Sequence, residues 1–175
     1  MASSVDPEEA QSIPAPPAAL KRLSSLPLPE YRFVPGRHPH PTRSPEGHGV
    51  VAAAALDPDQ AWLYGLDLFN TRYFWEAHEA WEKVWHAAPE GSRGREIVKG
   101  LIQIAAGLLK LHMGNEAAAR RLAGRGAARI EAMAAHHDNF RGLRLMPVVA
   151  AARSQIVDAP TPLELERAVF ELSLQ

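Results

Sequence analysis

Between Asp57 and Met113 apolar residues recur every three or four positions in two long runs, the spacing of helices that each bury one face. In the first run Trp62, Leu66, Phe69, Tyr73, Ala77, Ala80 and Val84 share a face, which Leu63, Phe74, Trp81 and Trp85 widen to an arc of about 160°. Asp57-Pro58-Asp59-Gln60 supplies the start: an acid to cap free N–H groups, proline at the first helical position and a glutamine placed for a capping box. One continuous helix is therefore predicted from Asp57 to about Trp85 or His86, ending near Pro89. Ser92 caps the second helix, in which Ile97, Leu101, Ala105, Leu108 and His112 form the stripe and Gly114 the stop. Asn115 can cap a third, Glu116 to about Ala135, rich in alanine and arginine and carrying a small-residue packing face. After the turn-like HHDNFRG, a fourth is predicted from Met146-Pro147 to Ile156. At the C-terminus Thr161-Pro162-Leu163-Glu164 reads as a capping box while LELE and FELSL alternate like strands, so helix and strand both stand open there.

Upstream of Asp57 the periodicity vanishes. IPAPPAAL, LPLPEY and VPGRHPHPTRSPEGHG hold most of the 15 prolines, which forbid regular helix and favour extended or turn backbone. Leu26, Leu28, Tyr31, Phe33 and Val34 could anchor such a segment to a folded surface, so Leu26 to His48 is expected to be ordered but irregular. The fold class that follows is all-α. A helical bundle over residues 57–175 carries an extended proline-rich N-terminal arm, residues 26–56, behind a disordered N-terminus, residues 1–25.

Composition narrows the classes of function. A formal net charge of -1 and a sequence pI of about 6.7 provide no basic face for nucleic acid or anionic lipid. The absence of cysteine removes disulfides, thiolate nucleophiles and Cys-ligated zinc, and suits the cytoplasm. LIQIAAGLLKLHM, the longest apolar stretch, is short and broken by Gln103 and Lys110, so no membrane span is expected.

FNTRYFWEAHEAWEKVW, then KGLIQIAAGLLKLHMGN, then the Ala/Arg-rich third helix, resemble the bacterial and archaeal domain-of-unknown-function family 309, small all-helical proteins, over roughly Gln60 to Leu143. The resemblance implies a fold and no established reaction. It carries over His78, Glu79, Glu82, Gln103 and Asn115 as candidate site residues.

The residues themselves single out overlapping positions. His78 and Glu82 stand one turn apart at the edge of the apolar arc, a spacing that serves a hydrogen-bonded pair or two ligands of one divalent metal ion equally well. HEAWE places Glu82 where a zincin would have its second histidine, which disfavours that chemistry. Glu79 and Glu76 read as surface charges on spacing alone. His112 occupies the middle of its helix's apolar stripe. In an antiparallel hairpin turning near residue 90 it would lie level with Asp67 and Asn70, and His78 level with Leu101 to Ala105. The two histidines would then be ~15 Å apart along the axis and belong to separate sites. Prolines around His38, His40 and His48 fix backbone, and an arm folded over the bundle could bring one of them to His78 and Glu82 as a third ligand or base. Trp75 points off the arc, under the arm or toward an interface. A homo-oligomer through helix faces, the small-residue face above all, is a further expectation.

Two functions stand open on these residues. One is a small-ligand or divalent-metal site, with hydrolysis as its chemistry. The other is a non-catalytic interaction or oligomerisation module with a buried polar network.

Overall fold

A computed structural model describes residues 21–49, 55–159 and 170–175. Helix dominates: α1 spans Pro58–Asn70, α2 Phe74–Ala87, α3 Arg93–His112, α4 Glu116–Ala134 and α5 Leu145–Ala152, with a two-residue hairpin, β1 Asn139–Phe140 and β2 Leu143–Arg144, ahead of α5. A π-helical turn, Arg153–Val157, continues α5, so the fourth predicted helix is present with a widened end. Arg120 of α4 covers that end by donating to the carbonyls of Ile156 and Val157 at 2.9 and 2.8 Å.

The first predicted helix is two helices. At its break Tyr73 N–H reaches back to Leu68 O at 2.8 Å and Arg72 N–H to Phe69 O at 2.9 Å, the pair of bonds that closes a Schellman motif. Arg72 takes the left-handed position with φ 69°, where glycine is usual and a side chain costs about 1 kcal/mol or more. Asp57 caps α1 with the reciprocal capping box. Nothing about Asn70-Thr71-Arg72-Tyr73 breaks the apolar period, which is why periodicity alone runs through it.

The break lets α2 fold back on α1, then α3 on α2 and α4 on α3. Trp81 is the keystone of the first contact. Its indole lies so close to Gly65 that a Cβ there would come within 2.2 Å of Nε1, and its ring is fully buried between Trp62 and Phe69. The α3–α4 crossing brings backbone against backbone: a Cβ on Gly126 would meet Gly100 O at 2.5 Å. Ala119, Ala123, Ala127 and Ile130 are buried with it, so the small-residue face expected to receive a second copy is packed within the chain.

The arm, described from residue 21, lies along α1 and α2, and Phe33 and Val34 are fully buried. Its docking begins ahead of Leu26, because Arg22, Leu23 and Ser24 already contact Asp67. Residues 170–175 form no helix: Asn70 clamps Leu172 through both its carbonyl and its N–H, at 2.9 and 2.8 Å, and Leu174 makes an isolated antiparallel bridge to Leu143. FELSL is therefore not helical, and its one strand-type contact is that bridge. The Thr161 capping box, LELE and the expected disorder of residues 1–20 lie outside the described residues.

Candidate functional site

Residues of α2 carry two His–Glu pairs with opposite surroundings. On the outer edge His78 stands between two carboxylates, with Nδ1 3.2 Å from Glu79 Oε1 and Nε2 3.4 Å from Glu82 Oε1. The three side chains are 28%, 38% and 42% exposed. One potential ligand atom from each lies within 4.8 Å of the others, and these three form the one group of His, Asp or Glu so arranged among the described residues. Two ligands about 2.0–2.1 Å from a tetrahedral zinc stand ~3.3–3.4 Å apart. The Nε2 and Glu82 separation therefore suits a shared ion. Glu79 Oε1 lies close to Nδ1 but outside hydrogen-bond geometry, and Nδ1 has no hydrogen-bond partner among the described residues; a turn of the Glu79 side chain would bring it to the position of the carboxylate that orients a metal-bound imidazole.

On the arm-covered side the pair is Glu76 and His48. Glu76 is fully buried, accepts from Phe33 N–H at 2.8 Å and lies 3.2 Å from His48 Nε2. Loss of hydration raises its pKa, against the stabilising pull of the Phe33 N–H and the imidazole. Glu76 is thus no surface charge, as the sequence reading has it. The arm arrives on it because proline-rich backbone lacks a ladder of its own and its free N–H and C=O groups need partners.

Three further groups of α1 and α2 serve that need. Asp67 accepts from Leu23 N–H, Ser24 N–H and Ser24 Oγ at 2.8, 2.8 and 2.7 Å. Tyr64 donates to Pro27 O at 2.8 Å and Tyr73 to Pro29 O at 3.1 Å. Burial, reinforced by the Glu76 and Asp67 carboxylates against Arg22, pushes the Tyr64 phenol up to about 12, so it remains a donor.

The arm histidines go elsewhere than His78. His48 meets Glu76 and tilts against Tyr31; His38 stacks on Tyr31 at 5.4 Å; His40 lies against Phe33 and Trp75 at 5.1 and 5.6 Å. Trp75 packs under the arm. With His38, His40 and His48 engaged by Tyr31, Phe33, Trp75 and Glu76, the third ligand expected from the arm is not supplied by these placements.

His112 is 4% exposed and packs on Phe74 at 5.0 Å. Its expected neighbours Asp67 and Asn70 are instead bonded to the arm and to Leu172. Burial first, then Arg32, Arg72 and Arg37, lower its pKa to about 4, and its Nε2 has no hydrogen-bond partner among the described residues. Gln103 is half-buried on α3 with its Oε1 equally without a partner. Asn115 caps α4, accepting from Ala118 N–H at 3.0 Å.

Sequence reasoning missed Asp67, Tyr64, Tyr73 and Glu76 as a group. Their one signal is that all lie on or beside an apolar face opposite a segment dense in prolines. A cleft of about 450 Å³ opens between the starts of α1 and α3 and the hairpin, lined by Pro58, Val84, Val98 and Phe140 among others, and none of the candidate residues lines it. No described helix is long and apolar enough to cross a membrane.

No curated protein and no solved structure matches the chain. A family model does, over residues 62–122, a stretch that holds α2 and α3 entire with both polar sides of α2 and leaves the arm outside. The chain carries, over those residues, the domain described as Domain of unknown function (DUF309).

Proposed function

We propose that the outer edge of α2 binds a divalent transition-metal ion through His78 Nε2 and Glu82, with Glu79 orienting the imidazole and water completing the shell. The observation that carries this reading is the 3.4 Å separation of Nε2 and Glu82 Oε1 beside a carboxylate close to Nδ1, on a surface that water can reach. Nitrogen and carboxylate donors suit zinc, manganese or iron(II). Two protein ligands leave open positions, which favour a ligand or partner bound through the ion. The described cleft lies away from these residues, so the reading includes no hydrolytic step.

Native mass spectrometry of the full chain, purified without a histidine tag and supplied with zinc, tests it. One ion per chain, lost in Glu82→Gln and in His78→Ala with the helical circular dichroism intact, is expected. A chain that stays metal-free, or variants that load as well as the wild type, would overturn it.

A further inference from the structure

The contacts between arm and bundle have an unusual division of labour. Most polar anchors named above are side chains of α1 or α2 acting on the arm's main chain or on Ser24: Asp67 at residues 23 and 24, Tyr64 at 27, Tyr73 at 29 and Glu76 at 33; the arm adds two side chains of its own, Arg22 on Asp67 and His48 on Glu76. Asp67, Tyr64 and Glu76 are 3%, 1% and 0% exposed, too deeply buried to lose their partners cheaply. Tyrosine hydroxyls donating to the carbonyls of Pro27 and Pro29, with apolar side chains seated beside them, are a recognised way to read proline-rich extended peptides. Leu23, Leu26 and Leu28 pack against the core between those anchors.

We propose that the α1–α2 face is a binding track for an extended Leu-Pro-Leu-Pro segment, filled in this chain by its own residues 22–34 and open to the same segment of a second copy. The second copy is the occupant argued for because RLSSLPLPEYRFV is the sequence shown to satisfy each anchor. The roughly two dozen residues from Val34 to Asp57 can also reach ~75 Å when extended. Exchange then replaces the bonds at residues 23, 24, 27, 29 and 33 in kind, and gives up the contacts of His40 with Trp75 and of His48 with Glu76 where the connecting segment extends. The track lies apart from the proposed ion site, and the two stand or fall independently.

The test is fluorescence polarisation of a labelled RLSSLPLPEYRFV peptide against the full chain. Leu26→Ala with Leu28→Ala weakens the chain's own arm without touching the track, and should increase peptide affinity about ten-fold over wild type. Adding Tyr64→Phe and Asp67→Asn should reverse that gain. If the arm variant unfolds, wild-type chain with excess peptide decides, read by faster tryptic cleavage of the displaced arm at Arg32. Concentrated wild-type chain should dimerise in sedimentation, and the peptide should dissolve the dimer. No capture by either chain, or capture indifferent to Tyr64 and Asp67, overturns the track. Capture by a chain that stays monomeric at every concentration overturns the second copy as its occupant.

Discussion

Glu76 and Glu82 sit on one helix, each beside a histidine at nearly the same distance, 3.2 and 3.4 Å. The first pair is 5% and 0% exposed, the second 28% and 42%. Burial makes them different objects. A carboxylate under the arm has traded its water for one N–H and one imidazole, so each partner is needed. A carboxylate at the outer edge keeps its water, so its pairing adds little to stability and leaves it free to take a ligand. Geometry of a pair, taken without its surroundings, therefore says nothing about whether it is structural or available.

Leu101→Ala provides the yardstick for the comparison. The side chain is fully buried at the centre of α3, and its truncation should cost about 2–5 kcal/mol in denaturant melts. Glu76→Ala should approach that value, about 2–4 kcal/mol, because it strands the Phe33 N–H and His48 in the interior. Glu76→Gln keeps an acceptor for Phe33 and should lose less. A Glu76→Ala variant as stable as wild type would erase the distinction between the two pairs.

The pH dependence sharpens it. His112, lowered to about 4 from an ordinary value near 6.5, is neutral in the fold and takes a proton more readily when unfolded. Its contribution is complete above the unfolded value and is lost as pH falls through the folded one. Glu76 has the opposite sign. Its pKa is raised, so the fold holds that proton more tightly than the unfolded chain does, and the advantage is lost as pH rises through the folded value. Urea melts between pH 7 and pH 4 should show acid loss that His112→Gln makes shallower and Glu76→Gln makes steeper. Identical slopes in all three proteins would contradict both assignments. The smallest expected effect is Glu82→Ala, under about 1 kcal/mol.

Much of this was legible in the sequence, unevenly. The caps at Asp57, Ser92 and Asn115 and the stripe through Ile97 and Leu108 follow from local chemistry, and the structure has all of them. The break at Arg72 was not legible, because its motif is made by backbone bonds and an arginine in a glycine's conformation. The outer cluster was readable because its members are four residues apart or fewer. The buried pair joins residues 48 and 76, and no local period encodes a partner 28 positions away. For the same reason His112 looked as though it belonged with Asp67, a residue that the arm had already claimed.

One side of α2 holds the arm, and the other is the side proposed to bind an ion. Titration calorimetry with zinc on untagged full-length chains tests this division most directly, comparing wild type, His48→Ala and His78→Ala. One ion bound equally by wild type and His48→Ala, with His48→Ala less stable, and no binding by a folded His78→Ala are expected. No binding by the wild type, or binding that survives in His78→Ala and fails in His48→Ala, would contradict it.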